Sequence, residues 1–325
     1  MLRRCCVPLL FLGLLGTGCS GGCPDVTLLD SSVDPPGLVQ MLFSVECAGE
    51  PVTSVESADV TLAEGGATVS SAESDWRLDP VTAALETYTL LLMDVSDSII
   101  DQGTLETAQE VATDFASTLV DRGQQVSVAI FDGDTEIRTI VDFTSDLQSL
   151  EDGIAGIGPE DQLDGSTNLN GAVLAGIDLL DAVVSPSVEA ELVSVANMVV
   201  FTDGLDRAGR ETHSKAVNAV TSADHEVFVV ALIGSEVEAE ELEEIGEDGF
   251  FRADDVAQLT ETFDLLISRL VAEVNKYYRV SYCSPLRSPR TKLKLTVNWE
   301  ESMDSVSVSY PTKDFGPGCA LPAEQ

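Results

Sequence analysis

The residues of this chain best suited to chemistry are oxygen-bearing and fall in three clusters. Thr87-Tyr88-Thr89-Leu90-Leu91-Leu92-Met93 runs into Asp94-Val95-Ser96-Asp97-Ser98. A second apolar run, Ala196 to Phe201, ends in Thr202-Asp203-Gly204. Between them, Asp164-Gly165-Ser166-Thr167-Asn168-Leu169-Asn170-Gly171 leads into a helical pattern. Continuous apolar runs of this length read as buried parallel strands, and ligands of such sheets sit outside the strands' carboxyl ends. The order therefore predicts loops that bring carboxylates and hydroxyls to one edge of one sheet. Hard oxygen donors suit a small divalent cation. Mg2+ in particular takes near-octahedral oxygen coordination, keeps several waters and binds only one or two carboxylates directly.

Asp94-x-Ser96-x-Ser98, Thr167 and Asp203 resemble the metal-ion-dependent adhesion site of the von Willebrand factor type A domain, with every position of that site filled in the family's order. The resemblance runs from about Glu86 to Val274. It implies Ser96 and Ser98 as direct ligands and Thr167 as a direct or water-mediated one. Asp94 and Asp203 would serve mostly as charge-balancing groups behind them. It also implies Mg2+ as the cation, with Mn2+ or Ca2+ as alternatives, and a protein partner whose carboxylate completes the coordination. Asp97 departs from the pattern, because the family usually has a small residue there. The favoured reading turns it to solvent, as strand-end loops are exposed; otherwise it adds charge beside the cation and repels an acidic partner.

The elements that must position these residues alternate between helical and extended periodicity. Leu105 to Val120 is amphipathic at helical spacing, Gln125 to Phe131 is a strand, and Asp132-Gly133-Asp134 turns into a further strand from Glu136 to Phe143. Asp132, Asp134 and Glu136 lack the remaining ligands of a calcium loop, so a plain turn is expected. Helices follow at Leu169 to Val184, Thr212 to Ala223, Glu238 to Ile245 and Val256 to Val274, with strands at Glu226 to Ile233 and Gly249 to Arg252. This is the order of a doubly wound, Rossmann-like α/β domain over residues 85–274. The flanks, residues 24–84 and 275–320, carry alternating half-buried strands. Neither has enough strands for a stable sheet alone. The expectation is one small β-sandwich built from both, with the α/β domain inserted between its halves and residues 321–325 as a tail.

Residues 1–18 read as a targeting segment: Arg3-Arg4 precede an apolar stretch from Pro8 to Leu15 that is too short to span a bilayer. Leu15-Gly16-Thr17-Gly18-Cys19 resembles a bacterial lipoprotein cleavage site, although Gly16 stands where leucine is usual. That implies lipid on Cys19, a tether over residues 19–23, and attachment to the bacterial cell envelope. Ser20 is not the aspartate that in enterobacteria favours inner-membrane retention, so the outer membrane is expected, at its periplasmic or surface face.

Charge and cysteines bound the rest. The net charge is −39, and removing Arg3 and Arg4 leaves 15 basic against 56 acidic residues, or −41. Such a surface argues against nucleic acid as a partner. Beyond Cys19 remain Cys23, Cys47, Cys283 and Cys319, an even number for an oxidising compartment. Three pairings are open; Cys23–Cys47 with Cys283–Cys319 is favoured because each closes a loop within one terminal segment. Basic residues gather at Lys276, Arg279, Arg287, Arg290, Lys292, Lys294 and Lys313. The only histidines, His213 and His225, are expected at the surface. With no histidine base in a triad arrangement, and the serines claimed by the metal, metal-assisted hydrolysis is disfavoured. The leading expectation is a metal-dependent protein-binding module. The alternative is an envelope protein whose metal only pins its loops.

Overall fold

The computed structural model describes residues 23–70, 75–81, 85–101, 103–184, 193–232 and 239–323. The targeting segment, Cys19 and nearly all of the tether lie outside the described residues. In chain order, β1 (Asp25–Asp34), β2 (Leu38–Cys47), β3 (Glu50–Pro51), β4 (Val60–Glu64), β5 (Ala67–Thr68) and β6 (Trp76–Pro80) come first. Then come β7 (Leu85–Asp94), α1 (Asp97–Asp101), α2 (Leu105–Asp121), β8 (Gln125–Phe131), β9 (Arg138–Thr144), α3 (Leu147–Ala155), α4 (Leu169–Val183) and β10 (Val193–Thr202). α5 (His213–Ser222), β11 (Glu226–Leu232), α6 (Glu240–Ile245), β12 (Gly249–Ala253) and α7 (Leu259–Val274) follow. β13 (Tyr277–Cys283), β14 (Thr291–Trp299) and β15 (Ser302–Tyr310) close the series. The chain divides into two compact units: Ala83–Val274, and the flanking Met1–Thr82 with Asn275–Gln325.

The central unit is an α/β domain around a sheet of order β12-β11-β10-β7-β8-β9. All neighbours are parallel except β9, which returns antiparallel on β8. Both faces are covered, in keeping with the long apolar runs of its inner strands. Leu91, Met93, Val199 and Phe201 face a core shared with α2, α3 and α7. Leu90, Leu92, Met198 and Val200 face one shared with α4, α5 and α6. The period of two along each strand divides the residues between these cores.

α3 is an element the sequence patterns did not reveal. It is short, and Leu150 and Ile154 are its only buried residues. Its Gly153 explains the packing: a Cβ there would lie 2.2 Å from Val141 Cγ2 on β9, so only glycine allows this approach.

The flanking unit is a β-sandwich. One sheet runs β1-β2-β13-β6, with β3 on β2; the other runs β15-β14-β4-β5. Val39, Met41 and Phe43 of β2 and Val280 and Tyr282 of β13 pack against Leu62, Leu293, Leu295 and Val297. Each sheet thus contains strands from both flanks. Cys23–Cys47 and Cys283–Cys319 are disulfide-bonded, at sequence separations of 24 and 36 residues.

Candidate metal centre

Adjacent parallel strands create the site. Met93 of β7 lies opposite Phe201 of β10, so Asp94 and Thr202 come side by side at the strand ends. The chain leaves these two strands towards opposite edges of the sheet, the switch point at which α/β sheets open a crevice. Thr202 Oγ1 donates to Asp94 Oδ2 at 2.7 Å, and the Ser96 amide donates to Asp94 Oδ1 at 2.8 Å. Ser96 Oγ lies 3.2 Å from Ser98 Oγ, whose hydroxyl donates to Asp203 Oδ1 at 2.7 Å. Asp94, Ser96, Ser98 and Asp203 are therefore one connected oxygen cluster.

Thr167 arrives by a different route. It is buried, and its carbonyl accepts from the amides of Arg207 at 2.8 Å and Ala208 at 3.0 Å. This ties the threonine loop to the loop beyond Asp203. Among the described residues no side-chain hydrogen bond links Thr167 to the other four. Asp97 is exposed, yet its carboxylate lies over Gly165, where a Cβ would come within 2.2 Å of Asp97 Oδ2. Its amide donates to the Gly165 carbonyl at 3.0 Å, joining the serine loop to the threonine loop.

Residues that carry no ligand role in the motif hold these loops in place. Asp132, the first residue after β8, is buried; it accepts from the amides of Asp134 at 2.8 Å and Leu163 at 2.7 Å. It organises both its own turn and the threonine loop, beyond what a plain turn requires. Asn168 caps α4 by accepting from the Gly171 amide and donates to the Asp134 carbonyl at 2.7 Å. Arg210 bonds the Gly133 carbonyl and, at 2.9 Å, Asp164 Oδ2. The capping role of Asn168 was open to sequence reading; those of Asp132 and Arg210 depend on loops distant in sequence.

Burial sets the electrostatics of the two aspartates. Asp94 is 1% exposed, and burial pushes its carboxyl up to about 7, against the opposing pull of its bonds from Thr202 and Ser96. Asp203 is raised as well, by burial first, with Ser98 and Arg207 pulling it down. No lysine, arginine or histidine among the described residues forms an ion pair with either carboxyl. Buried charge needs a partner. A divalent cation meets that need, and the donor set of hydroxyls and carboxylates is the hard-oxygen chemistry that Mg2+ takes.

Both histidines are engaged away from these residues. His213 Nε2 lies 2.7 Å from Glu244 and His225 Nε2 lies 2.8 Å from Asp181. His225 is buried, against the surface position expected for it: it immediately precedes β11, an inner strand of the sheet, and its ring meets Asp181 of α4.

Residues 89–205 match the family model for the von Willebrand factor type A domain. No curated protein matches the chain. Among solved structures, it is similar to a conserved hypothetical protein, BatB, from Bacteroides thetaiotaomicron, at 18% identity over 57% of this chain and 98% of that one, with a TM-score of 0.44. A von Willebrand factor type A protein from Catenulispora acidiphila aligns at 11% identity over 88% and 72%, with a TM-score of 0.46. The vWF domain of the type V pili tip protein Mfa5 from Porphyromonas gingivalis aligns at 12% over 59% and 97%, also at 0.46.

Proposed function

From the premise that this chain carries a von Willebrand factor type A domain, we propose that it is a lipid-anchored bacterial envelope protein that binds a protein partner through a divalent cation. Ser96, Ser98 and Thr167 would hold the cation, with Asp94 and Asp203 balancing its charge. Mg2+ fits first, and Mn2+ or Ca2+ are the alternatives. When bound, the cation supplies an electrophilic coordination position that a partner's carboxylate can fill. The single observation carrying this reading is Asp94, a buried carboxyl surrounded by oxygen and lacking a cationic side chain.

The chain's own residues orient that position. Thr202 and the Ser96 amide fix both oxygens of Asp94, and Ser98 spans to Asp203. The loops are joined to one another by their own hydrogen bonds, through Asp97 to Gly165, Thr167 to Arg207, and Arg210 to Asp164. A metal serving only to pin them would duplicate those bonds, which favours the binding reading over the purely structural one. Binding is favoured over hydrolysis too, since among the described residues neither histidine makes a hydrogen bond to Ser96 or Ser98.

Calorimetric titration of the full chain carrying Cys19→Ser, stripped with EDTA and then given Mg2+, Mn2+ or Ca2+, tests the site. One cation should bind per chain, and Asp94→Ala and Ser96→Ala should each abolish binding. Binding that persists in both variants, or no binding by any cation, would overturn the proposal. The anchor has its own test: the wild-type chain should incorporate radiolabelled palmitate, and Cys19→Ser should not.

A further inference from the structure

The outward face of the sandwich's four-stranded sheet differs in composition from the rest of the molecule. Leu293, Leu295 and Val297 of β14 point into the core, so Lys292, Lys294, Thr296 and Asn298 point out. Their cross-strand neighbours on β15 are Ser309, Ser307, Ser305 and Met303. On the other side, Ala63 pairs with Lys294 and Thr61 with Thr296, and Thr68 of β5 pairs with Ala63. No aspartate or glutamate occupies any of these outward positions, in a chain with 56 acidic residues. Glu64 and Asp304 belong to the other register: Glu64 is buried, and Asp304 accepts from the Val26 amide at 3.0 Å.

At the Lys292 end the face runs into an open concavity of about 610 Å3. Arg290, Lys292, Ser288, Thr291, Ser309, Leu286 and the Gly65 turn line it. Among the described residues, Arg290, Lys292 and Lys294 form no ion pair, and all are exposed. The two lysines stand about 7 Å apart along one strand.

We propose that this face, with its concavity, binds an acidic polysaccharide. The cations would take the anionic substituents, and the hydroxyl rows the sugar hydroxyls. The chemistry of the face selects this occupant. An acidic protein would need an apolar centre to the interface, and the outward strand positions offer only Ala63 and Met303, with Leu286 alone in the concavity. A neutral glycan or a single-stranded nucleic acid calls for aromatic platforms, and none of the outward positions is aromatic. A membrane surface would meet Met303 flanked by Glu300 and Glu301 at the hairpin tip, where like charge opposes it. Extended sugar chains bearing carboxylates or sulfates match a flat track of hydroxyls and ammonium groups.

Microscale binding of the full chain carrying Cys19→Ser would be measured with polygalacturonate, heparin, neutral dextran, polyglutamate and phosphatidylglycerol vesicles. Binding is expected to polygalacturonate or heparin, to weaken with added salt, and to persist in EDTA. Replacing Arg290, Lys292 and Lys294 by glutamine together should weaken it about tenfold, the combined effect of exposed ion pairs. Ser305→Ala with Ser307→Ala should weaken glycan binding while leaving tryptophan fluorescence and the unfolding transition unchanged. Binding of no polyanion, equal binding of polyglutamate or vesicles, or no response to the triple substitution would each overturn the proposal. So would dependence on a divalent cation and on Asp94, which would place the carboxylate at the metal centre instead.

Discussion

Glu64 in the sandwich and Asp94 in the central domain are both buried carboxyl groups, and their neighbours decide what each does. Glu64 is 6% exposed and accepts hydrogen bonds from the hydroxyls of Tyr282 at 2.7 Å, Ser284 at 2.6 Å and Tyr310. Every one of those donors lies in the core, and burial, with the bond to Glu64, holds the Tyr310 hydroxyl protonated far above its usual range. Asp94 has one hydroxyl and one amide donor, and beyond them the hydroxyls of Ser96 and Ser98 lead to a second carboxylate, Asp203. A carboxylate satisfied by neutral donors is structural. One faced by further acceptors calls for a cation.

The molecule supplies a way to read the two units separately. Its only tryptophans, Trp76 and Trp299, lie in the sandwich, and all the α-helices among the described residues lie in the central domain. Fluorescence thus follows Glu64's unit, and circular dichroism at the helical band follows Asp94's.

The largest expected difference is in pH dependence. The Asp94 carboxyl moves from 3.8 in the unfolded chain to about 7 in the folded one. Between those values the folded state holds a proton that the unfolded state lacks. Without metal, the stability of the helical domain should therefore fall as pH rises from about 4 to about 7, by about 4 kcal/mol at the limit. Asp203, shifted the same way, adds to this slope. Saturating Mg2+, which binds the ionised form, should stabilise more as pH rises. Asp94→Asn should flatten both responses. A metal-free domain that gains stability over this range would refute the contrast.

Next in size are the disulfides, both in the sandwich. Removing Cys23–Cys47 by paired serine substitution should cost the fluorescence-detected transition about 3.5 kcal/mol, from the loop it closes. The helical transition should not move, and a matching shift there would mean that the units do not unfold independently. Glu64→Ala comes third, at about 3 kcal/mol in the fluorescence transition, because it strands buried hydroxyl donors. Mg2+ stabilisation of the helical domain should be unaffected. Thr202→Val is the smallest, about 1 kcal/mol for one lost hydrogen bond to Asp94. Its sharper readout is weaker Mg2+ binding in the titration, as Asp94 loses the contact that fixes Oδ2.

The alternating strands and helices of the central domain were legible because a sheet covered on both faces leaves long apolar runs, such as Leu90 to Met93, that few other structures need. The sandwich was legible as half-buried alternation on both flanks. α3 was not, since a short helix held to β9 by a bare glycine contact carries little periodicity of its own. Among the candidate ligands, Asp94, Ser96, Ser98, Thr167 and Asp203 were picked out by their resemblance to the adhesion-site motif. Thr202 was not, although it adjoins Asp203, because its partner Asp94 lies 108 positions away.

By itself, then, the sequence determined the donor chemistry, the strand ends that carry it and the alternation that builds two kinds of sheet, because these follow from residue type and local period. Which carboxyls would be buried, and by what they would be met, was decided only by tertiary structure. Strand register sets Asp94 beside Thr202, while the packing of one sandwich sheet on the other brings Tyr282 and Ser284 to Glu64, and both depend on segments distant in sequence.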